Sequence, residues 1–268
     1  MIYTTTPFDA QQSTDDTLLI GVGTTIHTVA VVDRDRQLKF AATYTPGDID
    51  PEIKAVLEHP FPTVKIGVLD SHYTFIPSEV YDEQHRETYL RYLPYDGVGA
   101  TSVVDVPQLN LKVLHQSSRL GWEELASRFP GAVVYPNASG ILHALATASE
   151  QGQGALVLID RHESWLTIGI LMDGKFVYAH DFEAHGEEDF AYHLASVLEQ
   201  FELRQQRPTI QLAGEIDEHD GYYGRAVSLG GKTAIADSNM LVGVQVPEAV
   251  MPHQHRFLSL LGLYACAS

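Results

Sequence analysis

Basic side chains are scarce. The 268-residue chain holds 17 lysines and arginines against 35 aspartates and glutamates, a formal net charge of -18. No Lys/Arg cluster interrupts that excess, so the phosphate backbone of DNA or RNA would be repelled, and nucleic acid is excluded as a partner. Cysteine is nearly absent too. Cys266 stands alone, which excludes an intrachain disulfide and makes a reducing cytoplasm the expected compartment. No run of eighteen apolar residues occurs, so no membrane insertion is expected. The opening "MIYTTTPFDAQQSTDD" lacks a basic segment followed by an apolar run; it reads as a polar tail and not as a secretory signal.

What is present is a repeat. "LIGVGTTIHTVAVVDRDRQLKFAATY" lies over "LIDRHESWLTIGILMDGKFVYAHDF", which begins at Leu158. Ile20 falls on Ile159, Gly21 on Asp160, Thr25 on Ser164 and Thr28 on Thr167. After one residue drops out of the second turn, Leu38 meets Phe176 and Phe40 meets Tyr178. Each copy reads as three strands; the first is a short apolar run of the kind covered on both faces. Asp173-Gly174 supplies the positive φ of a tight hairpin. A helix follows each set. "DPEIKAVLEH" has Asp50 as cap and Pro51 in its first turn. "GEEDFAYHLASVLEQFEL" carries Phe190, Leu194, Val197, Leu198 and Phe201 on one face. Further strands follow, "TVKIGVLD" from Thr63 and "TIQLAGEI" from Thr209. The order strand, strand, strand, helix, strand thus occurs twice, in an α/β chain.

The intervening segment belongs with the first half. "YTFIPSEVYDEQHRETYLRYL" predicts a strand ending at Pro77 and a helix capped by Ser78. "GATSVVDVPQLNLKVLHQSS" predicts two strands about a proline turn. "SRLGWEELASRF" predicts a helix, "AVVYP" a strand, and "NASGILHALATASEQ" a helix capped by Asn137. Gly152-Gln153-Gly154 is the expected boundary. This divides the chain into 1–152, with an inserted hairpin and helices over about 71–130, and 153–268, with a closing helix over about 254–266.

Two copies of a three-stranded meander with helix and strand resemble the actin-like ATPase superfamily, whose lobes are ribonuclease H-like. The first phosphate loop of that group often reads "GIDLGTTNSCVAV"; this chain has "LIGVGTTIHTVAV". "YTFIPSEVYDE" and "VYPNASGILHAL" further resemble an uncharacterised bacterial family assigned this fold. The resemblance implies two similar subdomains with a nucleotide cleft between them. It places Gly23, Thr24 and Thr25 at phosphate, Asp160 and Arg161 at the second phosphate loop, and Gly214 and Glu215 on the adenosine side.

The motifs depart from the pattern. Gly21 stands where an aspartate usually holds magnesium through its waters, and a hard divalent ion needs oxygen ligands. The second loop usually reads Asp-x-Gly-Gly-x-Thr, but here it is "DRHESWLT". Arg161, His162 and Glu163 replace small residues, and Glu163 is expected to repel phosphate. The usual Gly-Gly pair is Gly214-Glu215. The first expectation is therefore a non-catalytic scaffold or regulatory partner with a degenerate nucleotide site, an unknown protein partner and no cofactor. The resemblance also allows a homo-oligomer. The alternative is an ATPase or phosphotransferase using ATP and magnesium, with Asp160 on the metal and Arg161 neutralising phosphate charge.

Other motifs carry less. "LGGKT" at 229–233 ends like a P-loop, but Ala226 stands where its glycine is required; it reads as a turn before a strand. His253-x-His255 and the trio His180, His185 and His193 lack cysteine or carboxylate at ligand spacing, and no metal site is expected. Asp70-Ser71-His72 has triad residue types without triad geometry, and Ser139 reads as part of a helix start. Tyr81, Tyr89, Tyr92 and Tyr95 are expected to pack on a neighbouring sheet, any exposed member marking a contact surface.

Overall fold

A computed structural model describes residues 1–9, 11, 13–69, 71–93, 100–117, 122–150, 152 and 154–266. The first half opens with β1 (Thr17–Val22), β2 (His27–Val32) and β3 (Leu38–Tyr44), an antiparallel meander. Helix α1 (Pro51–Glu58) returns the chain to β4 (Thr63–Val68), parallel to β1. Asp50 caps α1 as expected, accepting a hydrogen bond from the Glu52 N–H. A three-stranded sheet then intervenes. It contains β5 (Ser71–Pro77), the short α2 (Arg86–Leu90), β6 (Ala100–Val106) and β7 (Leu111–Ser117), in the order β5-β7-β6. Helix α3 (Glu123–Arg128) leads to β8 (Val133–Pro136), and α4 (Ala138–Ser149) follows directly.

The second half has β9 (Ala155–His162), β10 (Trp165–Met172), β11 (Lys175–Glu183), α5 (Glu187–Gln200), β12 (Thr209–Gly214), α6 (Gly221–Ser228), β13 (Lys232–Ile235) and α7 (Ser238–Val242). Its sheet order, β11-β10-β9-β12-β13, matches β3-β2-β1-β4-β8 of the first half strand for strand. The registers agree as well. Gly21 lies opposite Thr28, and Asp160 opposite Thr167. Even the irregularity repeats: Lys39 is skipped between Leu38 and Phe40, and Val177 between Phe176 and Tyr178. Asp173 (φ 50) and Gly174 (φ 74) make the tight turn between β10 and β11.

Both large sheets are covered on both faces, which is why their first strands are continuously apolar. Ile20, Val29 and Phe40 pack with Ile53 and Val56 of α1. Ile159, Ile168 and Leu212 pack with Phe190, Leu194 and Val197 of α5. The inner faces share one middle layer. Leu19, Ala30 and Leu158 meet Ile141 and Leu145 of α4, together with Leu258 and Leu261 of α8 (Leu258–Gly262). The two helices of that layer cross almost backbone to backbone. A Cβ on Gly140 would lie 1.8 Å from the Ser259 carbonyl oxygen. No described helix is long and apolar enough to cross a membrane.

Three local expectations need correction. Ser78 does not cap the helix after Pro77: its N–H extends the strand pairing to the Asn110 carbonyl, and a turn delays the helix to a 3-10 start at Glu83. Asp82 is the cap, accepting from the Gln84 N–H. Asn137 precedes α4 but is itself helical (φ -54, ψ -35), not extended as a cap residue is, and makes no capping bond; its Nδ2 donates across the lobes to Asp160 Oδ2 at 3.4 Å. The closing helix is not continuous. A 3-10 segment, Met251–Phe257, precedes α8, and another, Leu263–Ala265, follows it. The buried Lys65 Nζ of β4 draws the Tyr264 and Cys266 carbonyls, at 3.0 and 2.5 Å, as the chain leaves the helix. This closing segment therefore packs on both halves.

Replacing Gly140 by alanine forces α4 and α8 apart at their tightest point. The expected cost is about 1–3 kcal/mol or more, read as a lower denaturation midpoint at unchanged denaturant slope.

Candidate functional site

The β1–β2 loop and the β9–β10 turn face each other across the two lobes. The loop presents its backbone N–H groups in succession, a geometry suited to an anion. A Cβ on Gly23 would stand 2.4 Å from the Ile26 carbonyl oxygen and 3.1 Å from Glu163 Oε2, so the position has no room for a side chain. The anion the loop holds is the carboxylate of Glu163. Oε2 accepts from the Thr24 N–H at 2.6 Å and from the Thr24 hydroxyl. Oε1 accepts from the Thr25 N–H at 2.6 Å, the Thr25 hydroxyl at 2.5 Å and the Ile26 N–H at 2.8 Å. Burial pushes this carboxyl's pKa up, but the Thr24 and Thr25 donors outweigh it and hold it at about 2.

Glu163 is itself held. It adopts a left-handed φ of 53, and its N–H donates to Glu215 Oε2 at 3.0 Å. Glu215 also receives Arg161 Nη1 at 3.4 Å, and the Arg161 guanidinium lies 4.2 Å from the Tyr222 ring centre. Arg161 thus points to the side of β9 away from Asp160 and does not join the loop. Gly214, at φ 76, lets the chain turn beside the Arg161 backbone and bring Glu215 into this network.

Asp160 is 1% exposed. Its Oδ2 lies 3.1 Å from His162 Nε2 and accepts from the Asn137 amide at 3.4 Å, while Oδ1 has no hydrogen-bond partner among the described residues. Burial lowers the His162 pKa, but the Asp160 carboxylate more than restores it, leaving the imidazole above its ordinary value. Nε2 of His162 also sits 3.2 Å from the Ser259 hydroxyl. Both contacts use one ring nitrogen, whereas a Ser-His-Asp relay needs two. Across β10 from Asp160 is Asp181, which accepts from the Thr167 hydroxyl at 2.7 Å; burial pushes its pKa up to about 6 against that bond.

Gly21 lines the same cleft. The place of a side chain there is taken by Thr28: a Cβ would lie 2.2 Å from its Oγ1. The cavity bounded by Gly21, Asn137, His162, Glu163, Glu215 and Ser259 has a volume of ≈ 110 Å³. Pockets that take drug-sized ligands measure roughly 300–1,000 Å³.

Residues 5–227 match the family described as "Protein of unknown function (DUF3822)". The chain belongs to this family. Among solved structures, it is similar to a protein of unknown function with an actin-like ATPase fold from Bacteroides thetaiotaomicron. The identity is 17%, 86% of this chain and 94% of that one are covered, and the TM-score is 0.69. A chain of the PilM-PilN type IV pilus biogenesis complex is similar at 14% identity, with 92% and 97% covered and a TM-score of 0.63. No curated protein matches at a significant level. The family member described here therefore has the actin-like ATPase fold.

The fold brings Gly23, Thr24 and Thr25 together with the β9–β10 turn, as the sequence pattern leads one to expect. It places Arg161 elsewhere, and it reverses the expected action of Glu163, which fills the loop instead of merely repelling a ligand. His162 enters the cleft at the end of β9, within the second loop the sequence marks, whereas Ser259 of α8 and the amide of Asn137 join it with no sequence signal of that role, since these elements meet only after folding. His180 and His193 both pack on the Phe182 ring, and His185 and His193 both reach Glu183, one at its carboxylate and the other at its carbonyl. His253 packs edge-on to Tyr3, His255 lies 3.5 Å from Asp217, and His193 stacks on Phe182. Among the described residues, no group of three side chains suited to a metal ion occurs. Gly230 and Gly231, both at positive φ, turn the chain into β13. Ser139 is buried in α4; Asp70, Tyr95 and Gln153 lie outside the described residues. Tyr81 and Tyr89 stack at 5.6 Å, leaving Tyr92 exposed.

Glu163→Gln keeps the side chain's size and removes its charge. At pH 7 the substitution is expected to cost about 1–2 kcal/mol after solvent screening. A carboxyl held below its unfolded value stabilises the fold above that value and loses the effect as pH falls. The gap between wild type and variant should accordingly close from pH 4.5 towards about 2, which denaturant titrations at stepped pH measure.

Proposed function

We propose that this chain is a non-catalytic actin-like protein, a scaffold or regulatory partner of another protein, whose nucleotide site is degenerate. The observation that carries this reading is the Glu163 carboxylate, which takes five donors of the β1–β2 loop. Those donors are the ones a phosphate group would need. The cleft fits a triphosphate with magnesium poorly in other respects. Gly21 has no ligand to offer, one oxygen of the Asp160 carboxylate is engaged by His162 and Asn137, and Glu163 and Glu215 add negative charge. Phosphoryl transfer depends on positioning and charge neutralisation, and this arrangement supplies little of either. The matching strand order of the two sheets fits an internal duplication whose architecture outlasted its phosphate chemistry. The PilM-PilN complex supports the partner half of the proposal, because one chain of that assembly has this fold. A net charge of -18 and one cysteine suit a soluble protein of a reducing compartment.

Calorimetric titration with ATP and magnesium tests the reading. The expected result is no saturable binding with a Kd below about 1 mM, and a co-purifying protein whose retention ignores ATP and magnesium. Micromolar, magnesium-dependent binding that disappears in Asp160→Ala would overturn it in favour of an ATPase or phosphotransferase with a rearranged metal site.

A further inference from the structure

A loop built to hold an anion normally waits for one to arrive. Here it does not wait, because the anion is part of the chain. We infer that Glu163 is a tethered internal ligand that latches the two lobes together, so that closure of the cleft is constitutive and needs no nucleotide. The inference deepens the proposal above and rests on it only in treating the β1–β2 loop as an anion cradle.

Four observations converge on the latch. Every contact spans 137 to 139 residues of sequence and joins the first sheet to the second. The carboxylate is bound bidentately, one oxygen to Thr24 and the other to Thr25 and Ile26, so the turn is fixed in orientation as well as distance. Glu163 is the first residue of the two-residue turn between β9 and β10, whose left-handed φ of 53 the hairpin itself requires, so the second sheet fixes the point from which the carboxylate reaches. Finally, the turn is braced from behind through Glu215, Arg161 and Tyr222. Those three residues touch no atom of the β1–β2 loop among the contacts described; they act by positioning Glu163.

The latch makes a specific statement about free anions. Inorganic phosphate should find no vacant donors in the wild type. Removing the carboxylate should create a vacancy lined by three N–H groups and two hydroxyls.

Hydrogen exchange of the Thr24, Thr25 and Ile26 amides, with inorganic phosphate as the probe ligand in thermal unfolding, tests this. The full chain is used throughout, without nucleotide. In the wild type these amides should exchange at least about tenfold more slowly than in Glu163→Ala. Phosphate should raise the unfolding temperature of Glu163→Ala and leave the wild type unmoved. Should Glu163→Ala fail to fold, Glu163→Gln takes its place in the exchange measurement, with a smaller acceleration expected, since the amide oxygen still accepts from part of the loop. Amides that exchange as fast in the wild type as in the variant would overturn the latch. So would an equal phosphate response in both. These outcomes are separable from the fate of the scaffold reading. Fast amides with no ATP binding refute the latch alone, whereas slow amides with magnesium-dependent ATP binding refute the scaffold alone.

Discussion

The contact between one carboxylate and one loop organises the cleft of this molecule. Glu163 stands on the second sheet and its donors on the first, so neither partner is complete until the lobes meet. Charge-assisted hydrogen bonds are stronger than neutral ones, and these are shared between only two oxygens. The buried pair of Asp160 and His162 lies directly beneath, and the Glu215 network directly behind. Each neighbour is arranged as though the loop were already satisfied. The small volume left in the cleft follows from that arrangement, since side chains occupy the ground where a large ligand would lie.

The latch does not hold the lobes unaided. Helices α4 and α8 form a shared layer, apolar on both sides, to which each sheet contributes its inner face. Burial of this kind is non-directional and scales with area, so it brings the lobes together without specifying their register. The directional groups supply the register. They include the Asn137 amide on Asp160, the Ser259 hydroxyl by His162 and Lys65 on the carbonyls of the closing segment.

Much of the fold was legible in the residues. Apolar runs such as those of β1 and β9 announce strands buried on both faces. The alignment of Leu38 with Phe176 and Phe40 with Tyr178 matches the two copies correctly, but the bulge between them leaves no mark, because residues two apart read as ordinary strand alternation. The failures share a cause. Ser78 and Asp82 are both capable of capping, and only the pairing of Ser78 with Asn110 decides between them. Asn137 has the right type for a cap, but its backbone is already helical, and its Nδ2 faces a buried acid on the other lobe, a placement that only the tertiary fold decides. Glu163 is the sharpest case. Its charge is evident in the sequence, but whether that charge opposes an incoming phosphate or substitutes for it depends on where the turn points, which is a long-range property.

The crossing of α4 and α8 constrains how such a molecule can move. At Gly140 and Gly262 the two main chains meet without intervening side chains, leaving no compressible cushion between them. Sliding one helix along the other would drive a carbonyl into an α-carbon. The pair is therefore expected to move as one body, a shared spine to which both sheets are fastened.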